Sequence, residues 1–188
     1  MSTILATSHG RRSIDILKVH DPENANWDYV AKIEGLIPQR YGQDAKEIAG
    51  GRRILSALKE SGAPWAIVTS GTRPLVNGWL ERLELARPKQ MVTAEEVENG
   101  KPDPACYSLG RTRLGLSADI PILVIEDSPA GIRSGKAAGC HVLGLTTTHT
   151  MKEVQEAGAD WVVGDLQSVT FGGWDSKTRR MTLQINSS

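Results

Sequence analysis

Two adjacent acids, Glu126 and Asp127, follow an apolar run of residues 122–125 and precede a segment with the composition of a helix start. A short apolar run of this kind is typical of a strand buried on both faces of a parallel sheet. Because parallel sheets bind ligands at the carboxyl ends of their strands, we expect both acids at that edge. Carboxylate oxygens are ligands that Mg²⁺ prefers, so weak magnesium binding is one interpretation, and capping of the next helix is the other.

A second apolar run, residues 65–68, leads into Ser70, Gly71 and Thr72. These residues stand where a strand is expected to end and a helix to begin. The Ser70 hydroxyl, with nearby backbone N–H groups, can hold a phosphate or carboxylate oxygen there, although Ser70 or Thr72 can equally act as a helix cap. Lys101 lies in a rigid turn before Pro102, and its ammonium either points to the same edge or stays on the surface.

The pattern of the whole chain predicts an α/β fold that brings these residues together. Residues 1–62 have helical periodicity, with helices expected after residue 13, from 27 to 37 with Pro38 and Gly42 as its end, and from 49 to 61. From residue 64 strands and helices alternate, which predicts a parallel sheet with right-handed crossovers. Residues 171–188 suggest a terminal hairpin or tail.

Composition sets broad limits on the kind of protein. The chain has 188 residues, 39% of them hydrophobic, which is enough for a folded core. Lys+Arg and Asp+Glu each total 22, so the charge favours neither nucleic acid nor an acidic partner. The two cysteines, and a sequence without a signal peptide or a membrane span, predict reduced thiols in a cytoplasmic protein with no membrane partner.

Three motifs occur in order: VTSGT at 68–72, GKPDP at 100–104 and VIEDSPAGI at 124–132. They resemble the second, third and fourth motifs of the haloacid dehalogenase-like (HAD) phosphatases. The match extends to residues 8–12 (SHGRR), and it is nearest to the yeast and fungal glycerol-3-phosphate and 2-deoxyglucose-6-phosphate phosphatases. The resemblance implies a HAD-like Rossmannoid parallel sheet, with residues 1–48 as a remnant of a helical cap and residues 49–188 as the core.

The resemblance also assigns roles to individual residues. It implies that Lys101 neutralises a phosphate, that Ser70, Gly71 and Thr72 bind it, and that Glu126 and Asp127 hold Mg²⁺. The cap of such proteins contributes substrate contacts, and His9 and Arg11 are the candidates for this. A bidentate arginine can clamp an anion, although arginines on a solvated helix face are commoner.

The family's first motif, Asp-x-Asp-Gly-Thr, which supplies the nucleophile and a magnesium ligand, is not found in the sequence. The resemblance therefore implies that the sheet lacks its usual first, central strand. Unpaired backbone groups in a core are costly. The gap is expected to be filled by its neighbouring strands closing up, by residues 3–6, or by a strand from another chain, and an unfilled sheet favours a homodimer.

Three functions remain open on these grounds. The main hypothesis is a repurposed enzyme in which Lys101, Glu126 and Asp127 perform acid–base chemistry, as a lyase, isomerase or cyclase, with no cofactor required. Its substrate would be a small organic acid or carbonyl compound. The alternatives are a truncated sugar- or glycerol-phosphate phosphatase and a non-catalytic protein that binds an anion or another protein. We expect a small, anionic ligand in the site.

Overall fold

A computed structural model describes residues 9–186 of the chain. Its helices are α1 (Ser13–His20), α2 (Trp27–Tyr41), α3 (Gly51–Ser61), α4 (Arg73–Arg82), α5 (Ala105–Arg113), α6 (Pro129–Ala137) and α7 (Met151–Glu156). Its strands are β1 (Ala66–Val68), β2 (Gln90–Val92), β3 (Leu123–Glu126), β4 (His141–Leu145), β5 (Trp161–Val163), β6 (Val169–Asp175) and β7 (Arg180–Ile185). Residues 3–6, which the sequence offers as a replacement strand, lie outside the described residues.

The strands of this described part form three hydrogen-bonded groups. Strand β1 pairs with β2, and β3, β4 and β5 follow one another, with every one of these pairs parallel. Strands β6 and β7 form an antiparallel hairpin. The parallel pairs joined through helices confirm the predicted α/β fold, and the terminal hairpin is confirmed as well. The loss of a central strand stays a prediction.

The core lies on both faces of the β3–β4–β5 group. Val124 and Val142 face a cluster built with α5, α6 and α7, whereas Leu143 and Leu145 face a second cluster built with α3 and β6. This alternation is the period of two expected for strands. Strand β3 is less buried than its apolar sequence predicts, because its alternate side chains are only half-buried and the described residues pair it with β4 alone.

Pro38 lies inside α2 rather than at its end, so the predicted stop at this residue is wrong, whereas Gly42 does follow the helix. The reason lies in the packing of α2 on α4. A Cβ at Gly78 of α4 would lie 2.8 Å from Pro38 Cγ, so the proline ring packs directly against the glycine backbone. This contact compensates for the helical hydrogen bond that proline cannot make.

Arg12 fastens the start of α1 to the loop that carries Lys101. Its side chain is buried and bonds to both carboxylate oxygens of Asp15. It also donates to the carbonyls of Val97 at 2.7 Å and Glu98 at 3.0 Å. Gly100 leaves the space that the Arg12 side chain fills, since a Cβ there would lie 2.7 Å from Arg12 Nε.

We expect Arg12→Met to lower the free energy of unfolding by about 2–4 kcal/mol, because the buried carbonyls and Asp15 lose their donor. Arg11→Met is the matched control: Arg11 is exposed, and its loss should change stability by less than about 0.5 kcal/mol. Urea unfolding of both variants measures the difference. Equal stabilities would contradict the role given to Arg12.

Candidate functional site

A buried ion pair between Lys101 and Glu126 lies at the centre of the site. Their side chains are 6% and 7% exposed, and Lys101 Nζ donates to Glu126 Oε1. The same ammonium lies 3.3 Å from the carbonyl oxygen of Val68 at the end of β1, and Tyr107 donates its hydroxyl to Glu126 Oε1 at 2.7 Å. Lys101 therefore links the carboxyl ends of β1 and β3.

The second oxygen of Glu126 is held by the start of α6. Glu126 Oε2 accepts from the backbone N–H of Asp127 and of Ser128 at 3.2 Å each, and from Ser128 Oγ at 3.1 Å. Burial alone raises the pKa of Glu126. The Lys101 ammonium and the hydrogen bonds outweigh burial, so the pKa of this carboxyl lies below its ordinary value. Glu126 is therefore an ionised carboxylate with donors on both oxygens.

Gly131, in the third of the three sequence motifs, lies directly against this carboxylate and has no side chain that would displace it. A Cβ on Gly131 would overlap the carboxylate of Glu126, so any larger residue would push the acid away from Lys101. Ser128 caps α6 by accepting from the Gly131 N–H at 3.0 Å. Ser128 thus caps α6 and also donates to Glu126, while Gly131 leaves the space for the Glu126 carboxylate.

The donors of Ser70, Gly71 and Thr72, which were predicted to bind an anion, form hydrogen bonds within the protein. The Gly71 N–H donates to Thr69 Oγ1 at 3.1 Å, and the Thr72 N–H donates to Glu34 Oε2 at 2.7 Å. Ser70 Oγ donates to the carbonyl of Gly10 at 2.8 Å. The N–H groups of residues 71 and 72 are therefore bonded to oxygens of the protein in this structure, and their binding of an anion stays a prediction. Ser70 and Lys101 are the other predicted donors.

Glu34 is a site residue that the sequence did not reveal. It lies on α2, is buried, and also accepts from Ser13 Oγ at 2.5 Å. The sequence left open whether Ser70 or Thr72 caps α4 or binds an anion. Thr72 lies at the cap position, but its Oγ1 is buried without a partner in the described part, and its N–H donates to Glu34. The spacing in α2 could have indicated this position. Glu34 lies four residues from both Val30 and Pro38, so all three share the buried face of the helix.

Asp127 lies beside the polar loop that contains Thr148 and His149. Thr148 Oγ1 donates to Asp127 Oδ2 at 3.0 Å, and His149 Nδ1 lies 3.2 Å from the Asp127 carbonyl oxygen. The rings of His9 and His149 are 5.0 Å apart. Of the two residues proposed for substrate contacts, His9 is therefore at this edge of the sheet, whereas Arg11 is exposed and its neighbour Arg12 makes the buried contacts.

The sequence predicted at most weak magnesium binding by Glu126 and Asp127, and the described residues do not assemble a two-carboxylate site for it. Glu126 already accepts from five donor groups, so it has no oxygen free for a metal ion. Within residues 9–186, no three groups of the His, Cys, Asp and Glu type converge in a way that suits a metal. Asp127 alone offers a carboxylate oxygen. Because this set does not fit a magnesium site, we derive no step through a metal.

Comparison with known proteins places the chain in a family. The model of the haloacid dehalogenase-like hydrolases matches residues 6–145, and the chain belongs to this family. It is 39% identical over 185 residues to glycerol-1-phosphate phosphohydrolase 2 of Saccharomyces cerevisiae. The aligned region covers 93% of this chain and 73% of the yeast protein. It is 35% identical over 181 residues to 2-deoxyglucose-6-phosphate phosphatase 2 of the same yeast, which covers 87% of this chain and 74% of that protein.

A solved structure agrees with this assignment. The family IA, variant 3 HAD hydrolase of Entamoeba histolytica superposes with a TM-score of 0.72 over 90% of this chain and 80% of that one, at 23% identity, which shows a shared fold. In addition, no helix within residues 9–186 combines the length and apolar character that crossing a membrane requires.

These matches confirm the family resemblance and correct the main functional hypothesis. A repurposed lyase, isomerase or cyclase was expected because the Asp-x-Asp-Gly-Thr motif is not in the sequence. The relatives that match most of the chain are instead named as phosphatases and phosphohydrolases. The hypothesis of acid–base chemistry on a carbonyl compound is therefore wrong, and the phosphatase alternative is better supported. The absence of this motif does not outweigh the similarity to phosphatases over most of the chain.

We expect Gly131→Ala to lower the free energy of unfolding by about 1–3 kcal/mol, because the new methyl group overlaps the Glu126 carboxylate in a packed site. Gly164→Ala is the control, since a Cβ at Gly164 would meet nothing within 4 Å. Urea unfolding measures both. A Gly131→Ala protein as stable as the control variant would show that Glu126 does not lie over this glycine.

Replacing Lys101 by methionine should destabilise the protein by about 3–5 kcal/mol at pH 7, because Glu126 is left buried and unpaired. In the wild type the pKa of Glu126 is lower in the folded than in the unfolded protein. This difference stabilises the fold above about pH 4.5, and the stabilisation is lost as the pH falls through the pKa of the folded state. In Lys101→Met burial raises that pKa, so protonation relieves the destabilisation. The difference in unfolding free energy from wild type should shrink between pH 7 and pH 5.

The exposed Lys152, which pairs with Glu156 across one helical turn, provides the control for this measurement. Lys152→Met should cost less than about 1 kcal/mol at either pH, because exposed ion pairs contribute little. A pH-independent loss of stability in Lys101→Met would contradict the ionised state assigned to Glu126.

Proposed function

We propose that this protein hydrolyses phosphate monoesters of small polyols or sugars. The observation that carries the proposal is the 39% identity to a yeast glycerol-1-phosphate phosphohydrolase over 93% of the chain. Related yeast proteins that share 34–36% of their residues with this chain are named for glycerol 1-phosphate and 2-deoxyglucose 6-phosphate. A phosphorylated small molecule with several hydroxyl groups is the substrate class that these names have in common.

The geometry of the site supports phosphate binding by Lys101 and Ser70. An ammonium has three N–H donors, and Lys101 uses two of them for Val68 and Glu126, which leaves one for an anion. Ser70 stands two residues before Thr72, the cap residue of α4, where the helix dipole attracts negative charge. Its hydroxyl is turned to Gly10 in this structure, so a phosphate oxygen would replace the Gly10 carbonyl as its partner.

The attacking group has to come from outside residues 9–186. The resemblance assigns the attack to an aspartate of the first motif, which the given sequence does not contain. The β1–β2 pair and the β3–β4–β5 group are not joined by hydrogen bonds in the described part. We place the missing carboxylate on a strand between β1 and β3, where it would stand beside Lys101. A further segment or a second chain can supply it, and the protein assayed for hydrolysis has to include that part.

The proposal is tested by release of inorganic phosphate from glycerol 1-phosphate, 2-deoxyglucose 6-phosphate and a generic aryl phosphate, with and without Mg²⁺. We expect release, and we expect Ser70→Ala to lower kcat/KM about 10–100-fold, because a hydrogen bond to a charged phosphate is lost. Ser108→Ala, which removes an exposed hydroxyl from α5, is the control and should leave the rate unchanged.

One result would contradict the phosphatase, and another would contradict only the role of Ser70. The first is a folded protein that releases no phosphate from any of these esters. If that protein still binds orthophosphate, the non-catalytic anion-binding alternative takes its place. The other is equal rates for wild type and Ser70→Ala, which would remove Ser70 from the site.

A further inference from the structure

We propose that Tyr107 is a positioning residue, whose hydroxyl and ring hold the Lys101–Glu126 pair so that Lys101 keeps a donor available for phosphate. The inference rests on the proposed function and names a residue that neither the motifs nor the comparisons assign. Tyr107 lies in the first turn of α5, three residues after Pro104, and its side chain is buried.

The contacts of Tyr107 bring it to both partners of the ion pair. Its hydroxyl donates to Glu126 Oε1 at 2.7 Å, the same oxygen that Lys101 contacts. The Lys101 ammonium also lies 5.0 Å from the centre of the Tyr107 ring, within the range of a cation–π interaction. The carboxylate, the aromatic face and the Val68 carbonyl therefore surround the ammonium and fix its direction.

Sharing one carboxylate oxygen between two donors weakens the hold of Glu126 on Lys101. The Tyr107 hydroxyl takes part of the negative charge of Oε1, and charge-assisted hydrogen bonds of this kind are strong. Without the hydroxyl, Lys101 would be the sole donor to that oxygen. A phosphate would then compete for the Lys101 ammonium with a carboxylate oxygen that has no other donor. The phosphate would therefore bind more weakly.

Packing alone does not account for the hydroxyl. Phenylalanine would fill the same volume without burying a polar group, which is costly unless it is hydrogen-bonded. Burial and the charge of Glu126 raise the pKa of Tyr107 well above its ordinary value, so the phenol keeps its proton and remains a donor. The hydroxyl is therefore explained by what it does to Glu126 and Lys101.

The test is calorimetric titration of orthophosphate into the full chain and its Tyr107→Phe variant. Phenylalanine keeps the ring and removes only the hydroxyl, and we expect the Kd for orthophosphate to rise about tenfold. Thr112→Val is the matched control, because it removes a hydroxyl from the exposed face of the same helix, where it bonds only within α5. Its Kd should equal that of the wild type.

A double-mutant cycle with Lys101→Arg separates positioning from a general loss of structure. Lys101→Arg keeps the positive charge but changes its geometry, so a tyrosine that acts through Lys101 should have a smaller effect in that background. Additive effects of Tyr107→Phe and Lys101→Arg on the Kd would overturn the proposal, as would an unchanged Kd in Tyr107→Phe alone.

The outcomes also separate this inference from the phosphatase proposal. A wild type that binds orthophosphate but hydrolyses no ester removes the phosphatase and leaves the Tyr107 test intact. A wild type that hydrolyses esters while Tyr107→Phe binds orthophosphate equally well removes only the role of Tyr107. A wild type that hydrolyses the esters but binds no orthophosphate overturns the role of Tyr107 and leaves the phosphatase standing.

Discussion

Burial of the Lys101–Glu126 ion pair is the constraint on which the rest of the site depends. Removing two charges from water costs several kcal/mol per ion, and the cost is compensated only by close pairing and further hydrogen bonds. Glu126 accordingly receives donors on both oxygens, and Lys101 has the Val68 carbonyl and the Tyr107 ring around it. These partners come from β1, β3, α5 and the start of α6, so the pair determines how these elements meet.

The same constraint explains why several residues near the site are small or fully bonded. Gly131 leaves room for the Glu126 carboxylate, and Gly100 leaves room for Arg12, which holds the loop before Lys101. Glu34 on α2 accepts a hydrogen bond from the Thr72 N–H at the start of α4. In this structure the Ser70 hydroxyl and the N–H groups of Gly71 and Thr72 are bonded to oxygens of the protein itself. A phosphate would therefore replace the Gly10 carbonyl at Ser70, whereas Lys101 has one N–H left for it.

The sequence predicted the fold and the ion-pair residues well, because their signals are local. Apolar runs and helical periodicity located β1, β3, β4 and most helices, and the motif order placed Lys101 and Glu126 at one edge. Contacts between distant segments were not predictable: Arg12 rather than Arg11 is buried, and Glu34 and Tyr107 reach the site from helices whose packing no local pattern reveals. The function was mispredicted because the missing motif was interpreted as a change of chemistry, whereas most of the chain is similar to phosphatases.

A crystal structure of the protein soaked in orthophosphate tests the central claim most directly, that the buried pair presents Lys101 to a phosphate. The account predicts an anion within about 3 Å of Lys101 Nζ and Ser70 Oγ, with the Gly10 carbonyl displaced and the Lys101–Glu126 contact retained. A phosphate bound elsewhere, or one that reaches Lys101 only after Glu126 has left it, would contradict the account.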